Sequence, residues 1–483
     1  MKKPNIVFIV ADQWRLDAVG YAGNKCVKTP NIDALVEDGI GFENAYCQNP
    51  VCVPSRCSFL TGWYPHTKGY RTMHNLMPES EPNLLKTFKE NDYHVYWGGR
   101  VDFLQENVEQ MHYCNVRNND FKDAFKHRKN TAQFVEDTAE RQEMRQNIFS
   151  HYIGLTEGVY DPERQEFNQA LKYLENDTYG EQPFLIYMAL SSPHPPYVTE
   201  KQWYDQINID EVDAPVRLTD TQWEKKASIL RGIRANQKLY EWSDARLKEL
   251  KKVYYAMGTK LDSYIGELIQ KLKDKNIYDD TLIVFMSDHG DYTGDYEIAE
   301  KNQNTFEDML TNVPLVIKLP HQEKCQSRVS DAMVELIDVQ ATLMDYAGLT
   351  YHHEQFGKSL RPVFEGSDEH RDVAFCEGGR LDGETQATDA GHNQSNPYWA
   401  RTTEQERIPE HTKAMMIRNK NYKYIYRLYE TDEFYDMEND PYETTNLIDH
   451  TEFAAEITQL RARMLEHFFK TGDVVKYERD ERV

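Results

Sequence analysis

The side chains best suited by type and spacing to carry out chemistry lie in residues 49 to 62, NPVCVPSRCSFLTG. Within this stretch Cys52 precedes Pro54 and Arg56, and Gly62 closes a short apolar run. Proline lacks a backbone donor and suits the first turn of a helix, whereas glycine is common just past a helix end. Free N–H groups and the positive dipole end at a helix N-terminus attract anions. The spacing therefore predicts a nucleophilic cysteine at the start of a helix, beside a site for an anion.

Two further pairs of polar residues stand where buried strands are expected to end. Asp12 and Gln13 follow one apolar run rich in β-branched residues, and Asp288 and His289 follow another. Open α/β sheets bind ligands beyond the carboxyl ends of their strands, so we expect these pairs to meet. Carboxylate and amide oxygens with one imidazole suit a divalent ion such as Ca²⁺, Mg²⁺ or Mn²⁺. An Asp-His pair taken alone is more often an ordinary surface or core pair, so the prediction depends on both pairs together.

The pattern Cys-x-Pro-Ser-Arg followed by Leu-Thr-Gly resembles the signature of the type I sulfatases, members of the alkaline phosphatase superfamily. In that family the cysteine is oxidised to Cα-formylglycine, so the resemblance implies this modification at Cys52 and a formylglycine-generating maturase as a partner. It also implies one divalent cation, Ca²⁺ by preference and Mn²⁺ or Mg²⁺ as alternatives. The implied ligands are Asp12, Gln13, Asp288 and His289 together with the modified Cys52. The alternative interpretation of the motif is a buried cysteine in an ordinary helix.

The resemblance also implies roles for residues around the nucleophile. Hydrated formylglycine is a geminal diol, so one hydroxyl would attack sulfur and the other would later lose its proton and expel sulfate. Arg56 would hydrogen-bond the diol and an ester oxygen. Lys301 would contact the sulfate and bridging oxygens, and His194, in a proline-rich turn, would protonate the departing oxygen. The ordinary alternatives are a surface lysine and a turn histidine held by local hydrogen bonds.

Two features of the sequence depart from the common sulfatase pattern. Gln13 replaces a second aspartate and His289 replaces a common asparagine, and both variants resemble the phosphonate monoester and phosphodiester hydrolases, which also use formylglycine. Arg100 and Asp102 stand where sulfatases have Gly-Lys-x-His, at the substrate. Arg100 can replace the lysine as an anion contact. Asp102 either turns away to pair with Arg100, or faces the diol and takes the proton that drives sulfate release.

The composition limits the class of protein and its partners. At 483 residues, with 40% apolar and 12% aromatic residues, the chain can form a large globular core and more than one domain. The net charge of −24 argues against nucleic acid and anionic membranes as partners, because both need a basic surface. Seven irregularly spaced cysteines indicate reduced thiols. With neither a signal peptide nor a membrane span recognised, we expect a cytoplasmic protein.

Strand-like runs alternate with helical stretches, which predicts a doubly wound, mostly parallel α/β sheet in residues 1 to 370. Residues 371 to 483 are expected to form a smaller α+β domain built on an antiparallel sheet, with a hairpin turn at residues 419 to 421. Three further helices are expected: a long one capped by Ser243, one from about 331 to 346, and a final one from about 452 to 469. A strand is expected at 313 to 317 and a polar loop at 381 to 412. Residues 105 to 150 are expected to form an insertion with helix after Thr131.

Together these residues predict an enzyme that hydrolyses the sulfate ester of a small organic molecule, either a sulfated sugar or an aryl or steroid sulfate. The first alternative is a phosphonate monoester or phosphodiester hydrolase that uses the same nucleophile. The second alternative is a non-catalytic anion-binding protein in which Cys52 is never oxidised.

Overall fold

The computed structural model describes residues 3 to 118, 152 to 156, 161, 163 to 323, 325 to 389, 398 to 475 and 477. The strands, numbered in chain order, are β1 (Asn5–Asp12), β2 (Ile40–Tyr46), β3 (His94–Gly99), β4 (Val116–Arg117), β5 (Tyr152–Thr156), β6 (Phe184–Pro193), β7 (Tyr197–Glu200), β8 (Thr281–Ser287), β9 (Leu315–Lys318), β10 (Arg328–Glu335), β11 (Ala374–Gly379), β12 (Lys413–Arg418), β13 (Tyr422–Arg427) and β14 (Glu433–Asp436). The helices are α1 (Pro30–Glu37), α2 (Cys52–Thr61), α3 (Pro65–Lys68), α4 (Leu84–Glu90), α5 (Arg164–Glu175), α6 (Lys201–Tyr204), α7 (Asp220–Glu224), α8 (Ser228–Gln237), α9 (Asp244–Asp274), α10 (Asp308–Thr311), α11 (Ile337–Ala347), α12 (Arg361–Phe364), α13 (Trp399–Gln405) and α14 (Ala454–Thr471).

Eight strands form one large sheet, in the order β10-β2-β9-β8-β1-β6-β3-β4. Neighbouring strands in it run parallel, except that β9 pairs antiparallel with both β2 and β8. β1 lies inside this order, between β8 and β6. The predicted mostly parallel α/β sheet is confirmed.

Helices cover both faces of the large sheet and form a separate core with each face. Successive residues of β1 point alternately into these two cores. On one face Ile6, Phe8 and Val10 belong to a core shared with α2, α4 and α11. On the other face Val7 and Ile9 belong to a core shared with α1, α5 and α9. Burial on both faces explains why β1 is an unbroken apolar run in the sequence.

The long helix α9 packs on one of these faces, as the spacing of its apolar residues predicts. The side chain of Ser243 accepts a hydrogen bond from the backbone N–H of Arg246 at 3.3 Å and caps the helix. The predicted apolar stripe of α9 is buried. The hydroxyl of Tyr254 on this helix donates to the backbone carbonyl of Gln13 at 2.6 Å, so α9 also supports the segment after β1.

The last part of the chain forms a separate four-stranded antiparallel sheet, in the order β11-β12-β13-β14. The predicted hairpin is present as β12 and β13, with Met416 opposite Ile425. The predicted final helix is α14, which packs on this sheet. The backbone N–H of Glu377 in β11 donates to the carbonyl of Gln48 at 3.0 Å, which joins the small sheet to the segment just before α2. The small sheet is confirmed, and the domain boundary at residue 370 stays a prediction.

The structure corrects the sequence interpretation at one edge of the large sheet. The sequence pattern does not predict β2, and it predicts a helix from about 331 to 346 where the structure has β10 followed by α11. Met333 and Glu335 favour helices by intrinsic preference. In the structure they pair with Asn44 and Tyr46 of β2. Pairing with a strand that is distant in sequence therefore outweighs the local preference.

One loop and one strand also differ from expectation. The polar loop expected at 381 to 412 contains α13, several of whose residues are buried. The strand expected at 313 to 317 begins only after Pro314, which lacks the N–H that a strand ladder requires. The helix expected after Thr131, and most of the insertion expected at 105 to 150, lie outside the described residues.

Two helices have the length of a membrane span, since α9 contains 31 residues and α14 contains 18. Charged residues recur along both of them. Within the part of the chain that the structure describes, none of the helices combines sufficient length with sufficient apolar character to cross a bilayer.

Gly99, at the end of β3, allows close contact between this strand and β6. Its φ is +85°, a conformation that residues with a side chain rarely adopt. A Cβ at this position would lie 2.0 Å from the carbonyl oxygen of Ala189. The same oxygen accepts a hydrogen bond from the backbone N–H of Arg100 at 2.8 Å. The absence of a side chain at Gly99 therefore permits the approach that positions Arg100.

We expect Gly99→Ala to lower the free energy of unfolding by about 1–2 kcal/mol for the left-handed backbone, and by about 1–3 kcal/mol more for the clash with Ala189. Gly69→Ala is the matched control, because Gly69 has a φ of +81° but no atom within 4 Å of the added Cβ. Urea denaturation of the purified variants measures the difference. An equal loss of stability in both variants would show that the close contact has no energetic consequence.

Candidate active site

α2 begins at Cys52, as the spacing of Pro54 and Gly62 predicts. The helix ends at Thr61, and the next residue, Gly62, has a φ of 78° in the left-handed region. All residues of α2 are buried, and the N-cap residue Val51 makes no side-chain hydrogen bond to the helix. Val51 therefore does not cap the first N–H groups of the helix. These groups and the positive end of the helix dipole lie beside Cys52.

Cys52 lies in a buried cluster with Asp12, Asp288 and His289, whose potential ligand atoms are all within 4.8 Å of one another. The Cys52 sulfur lies 3.4 Å from Oδ1 of Asp12 and 3.3 Å from Nε2 of His289. The same Nε2 lies 3.6 Å from Oδ1 of Asp12 and 3.6 Å from Oδ1 of Asp288. The cluster forms because β1 and β8 are neighbours in the sheet, so the residues at their ends meet. The structure thus brings together four of the predicted metal ligands.

Gln13, the remaining predicted ligand, uses its side chain differently. Its Oε1 accepts a hydrogen bond from Nζ of Lys301 at 2.5 Å. Its backbone N–H donates to Oδ1 of Asp288 at 3.1 Å. Gln13 therefore lies against the cluster while its amide oxygen contacts Lys301, and its role as a ligand stays a prediction.

The hydrogen bonds of His289 leave one ring nitrogen available as a ligand. Its Nδ1 lies 2.9 Å from the carbonyl oxygen of Gly290. A carbonyl can only accept, so Nδ1 carries the proton and Nε2 presents a lone pair to the cluster. Burial lowers the pKa of His289 in spite of the neighbouring Asp288, which favours this neutral form. A carbonyl bonded to the far nitrogen is a common support for a metal-binding histidine.

Arg56 is fully buried and pairs with both carboxylates of the cluster. Its Nη2 lies 3.2 Å from Oδ2 of Asp12 and 2.8 Å from Oδ2 of Asp288. The Oδ1 atoms of the two carboxylates are the ones that lie near Nε2 of His289. Although burial opposes ionisation of Asp12, Arg100 and other nearby cations hold its pKa well below the usual value. Asp12 is therefore a carboxylate at neutral pH.

The residues of the cluster fit a divalent cation. Two carboxylates, an imidazole lone pair and the group on Cys52 converge in one place. Hard or borderline divalent ions bind such oxygen and nitrogen donors. Burial, followed by the charge of Asp12, raises the pKa of the Cys52 thiol to about 12, so the unmodified side chain is a neutral thiol here.

Lys301 and His194 are both buried near the cluster. Although burial opposes its charge, neighbouring acidic groups, Asp12 among them, raise the pKa of Lys301, so the amine is protonated. Nδ1 of His194 lies 2.7 Å from the carbonyl of Pro195, which places the proton on Nδ1 and the lone pair on Nε2. Burial, together with the charge of Lys301, holds the pKa of His194 well below its usual value. The ring is therefore neutral before an anionic ligand binds.

Arg100 and Asp102 form an ion pair, in which Nε of Arg100 lies 2.7 Å from Oδ2 of Asp102. Nη1 of Arg100 also contacts Oδ2 of Asp12. The structure thus places Asp102 in the first of the two arrangements considered above, paired with Arg100. The pairing offsets the repulsion between the Asp102 carboxylate and an anionic substrate.

Arg401 and Tyr398 are neighbours of the site that the sequence interpretation missed. Nη1 of Arg401 donates to the carbonyl oxygen of Lys301 at 3.2 Å. The ring of Tyr398 lies 6.4 Å from the ring of His194. The sequence signal was weak, because these residues belong to the segment interpreted as a polar loop. The adjacent aromatic residues Tyr398 and Trp399 are a local sign of burial within this segment.

The mostly parallel sheet, the buried helix that begins at Cys52 and the carboxylates at the strand ends define an enzyme of the alkaline phosphatase superfamily. A family model described as Sulfatase matches residues 4–349. The chain belongs to the sulfatase family and is a sulfuric ester hydrolase.

Individual relatives cover nearly the whole chain. An ulvan-active sulfatase of Formosa agariphila is 27% identical over 98% of this chain and 83% of its own length. An arylsulfatase of Clostridium perfringens is 27% identical over 95% of this chain and 93% of its own length. Among solved structures, a phosphonate monoester hydrolase of Agrobacterium radiobacter shares the fold, with a TM-score of 0.79 and 21% identity over 98% of this chain and 97% of that chain.

We expect Asp102→Asn to retain most of the turnover of a sulfate ester, because a partly exposed ion pair such as Asp102 with Arg100 contributes only about 0–1 kcal/mol. Arg100→Ala should lower kcat/KM much more, because it removes a cation that also contacts Asp12. Steady-state kinetics with 4-nitrophenyl sulfate measure both effects. Accumulation of sulfated Asp102→Asn enzyme after one turnover would instead support a carboxylate that accepts the proton.

Proposed function

We propose that the chain hydrolyses the sulfate ester of a sulfated sugar, and that the nucleophile is a hydroxyl of the hydrated Cα-formylglycine formed from Cys52. The observation that carries the proposal is the position of Cys52, at the N-terminus of a buried helix and within 4.8 Å of Asp12, Asp288 and His289. A nucleophile there has both anion-attracting N–H groups and a cation-binding cluster beside it. The relative named as an ulvan-active sulfatase supports a sulfated sugar, and the equally similar relative named as an arylsulfatase keeps an aryl sulfate as the alternative substrate.

One divalent cation would be held by Asp12, Gln13, Asp288 and His289 with the modified Cys52. Ca²⁺ is the first choice, and Mn²⁺ or Mg²⁺ are the alternatives, since His289 is a softer donor than the carboxylates. When bound, the cation lowers the pKa of the attacking hydroxyl and offsets the negative charge of the ester.

The other residues of the site would bind the ester and move its protons. Arg56, which pairs with the cluster carboxylates, would hydrogen-bond the diol and an ester oxygen. Arg100 and Lys301 would supply positive charge to the sulfate oxygens. His194 would donate from Nε2 to the departing oxygen, because its Nδ1 is bonded to the Pro195 carbonyl. Burial and Lys301 keep the free ring neutral. The negative charge of the bound ester would therefore favour the protonated form that this role requires.

Hydrolysis of a phosphonate monoester or phosphodiester is the second candidate function. Gln13 and His289 favour it, because both resemble that branch of the superfamily. The fold likeness to a phosphonate monoester hydrolase is consistent with it. A phosphonate monoester and a sulfate monoester each carry one negative charge, so the cations around Cys52 suit both.

We also propose that a formylglycine-generating maturase modifies the chain and that the mature enzyme works in the cytoplasm, without nucleic acid or membrane as a partner. All seven cysteines are free thiols, as expected of a reducing compartment. Residues 1 to 370 would form the catalytic domain and residues 371 to 483 the smaller one.

Co-expression with a maturase should produce an aldehyde at Cys52, which mass spectrometry of the tryptic peptide detects. The matured protein should hydrolyse 4-nitrophenyl sulfate and sulfated sugars, and Cys52→Ala should abolish this turnover because no nucleophile remains. Faster turnover of a phenylphosphonate monoester than of every sulfate ester tested would favour the second candidate function.

Cys57→Ala is the matched control for this experiment. Cys57 is also buried in α2, but its sulfur lies 3.9 Å from the carbonyl of Phe103 rather than in the cluster. This variant should keep both the aldehyde and the turnover. Full activity in Cys52→Ala would exclude Cys52 as the nucleophile. Wild-type protein that shows neither aldehyde nor turnover after co-expression with the maturase would support the non-catalytic alternative.

Exhaustive chelation should abolish turnover of the matured enzyme while the fold persists, because Arg56 still pairs with Asp12 and Asp288. Circular dichroism verifies the fold, and separate additions of Ca²⁺, Mn²⁺ and Mg²⁺ show which ion restores activity. Asp288→Asn should fail to respond to any of them. If the chelated enzyme turns over at the original rate, the cation assignment is wrong.

A further inference from the structure

Arg401 is a cation beside the site that the proposed mechanism does not use. The residue is 7% exposed, and its Nη1 donates to the carbonyl oxygen of Lys301 at 3.2 Å. Its guanidinium lies 4.5 Å from the centre of the Tyr398 ring. Among the described residues, its Nε is buried and has no hydrogen-bond partner. A buried donor without a partner is unfavourable, so this nitrogen indicates a ligand.

The neighbours of Arg401 place it on the leaving-group side of the site. Lys301 and His194 are the residues proposed to contact the oxygen between sulfur and the alcohol. Arg401 contacts the backbone of Lys301, and the Tyr398 ring meets the His194 ring edge to face. The alcohol part of the ester would therefore extend toward Arg401 and Tyr398.

Arg401 carries its charge in this environment. Burial opposes the charge, but Glu300 and other neighbouring groups raise the pKa of Arg401. Its Nη1 lies 3.2 Å from the carbonyl oxygen of Lys301, and the side chain of Lys301 reaches Gln13 beside the cluster. A charged guanidinium beside Lys301 can attract a further anionic group on the same substrate molecule.

We infer that Arg401 binds a second anionic group of the sulfated sugar, while Tyr398 packs against the sugar ring. The inference rests on the proposed function and adds the substrate class, a sugar that carries a carboxylate or another sulfate besides the scissile ester. A guanidinium binds either oxyanion through paired donors. An aromatic ring offers the flat apolar surface that one face of a sugar requires.

The competing interpretation is that Arg401 only supports the backbone of Lys301. That role would affect all sulfate esters by the same factor, because each of them uses Lys301. Recognition of a second anion affects only the substrates that carry one. Matched pairs of ligands that differ in one charge therefore separate the two interpretations.

Calorimetric titration of the Cys52→Ala protein measures binding without turnover. One ligand pair is N-sulfoglucosamine 6-sulfate with N-acetylglucosamine 6-sulfate, and the other is glucuronic acid 2-sulfate with its methyl ester. We expect the dianion of at least one pair to bind about ten- to a hundredfold more tightly than the monoanion, as for one charge-assisted hydrogen bond. Adding Arg401→Gln should reduce this ratio to about twofold or less, and Arg401→Lys should give an intermediate ratio.

Arg407→Gln is the matched control, because the Arg407 side chain is 63% exposed and pairs with Glu404 in the same segment. It should leave both affinity ratios unchanged. Tighter binding of the dianion in the glucosamine pair identifies the second anion as a sulfate, and tighter binding in the glucuronic acid pair identifies it as a carboxylate. Equal affinities within both pairs, or ratios that Arg401→Gln does not alter, would overturn the inference. Failure of the proposed function is distinguishable, because the matured wild-type protein would then not hydrolyse 4-nitrophenyl sulfate.

Discussion

Arg56 lies fully buried between the carboxylates of Asp12 and Asp288, and the arrangement of the site depends on this pairing. A charge removed from water this completely is tolerated only with paired partners, so each of the three groups requires the others. Because the carboxylates stand at the ends of neighbouring strands and Arg56 belongs to α2, the pairing joins the helix to the sheet. It also leaves one oxygen of each carboxylate near His289, where the cluster can hold a cation.

The small sheet contributes to the same site by holding the segment that carries Lys301. The carbonyl of Asn304 accepts a hydrogen bond from Nη1 of Arg427 in β13 at 3.0 Å. A Cβ on Gly378 in β11 would lie 1.7 Å from the carbonyl oxygen of Gln303, so the strand and this segment are in close contact. The position of Lys301 therefore depends on strands that occur much later in the chain. Changes within the small sheet can reach the substrate site through these contacts.

Elements with a strong local signal were predicted correctly. β1 and β8 are buried on both faces and read as unbroken apolar runs, and α9 has a long apolar stripe with a capping serine. β10 was mistaken for helix because Met333 and Glu335 have no strand preference of their own, and they are extended because β2 lies beside them. α13 was missed because its Thr, Glu and Gln residues are polar although the structure buries several of them.

The sequence by itself determined which chemical groups stand at the site. Cys52, Asp12 and His289 were predicted there because each residue lies at the end of a strand or the start of a helix, and those ends are local features of the sequence. Only the tertiary structure decided which partners these groups have. Gln13 and Lys301, 288 positions apart, share a hydrogen bond that neither local pattern predicts. The same holds for Arg401, which reaches the Lys301 carbonyl from 100 positions away. The physical reason is that the partner of a buried polar group is set by which distant segments pack against it, and a local pattern carries no information about that packing.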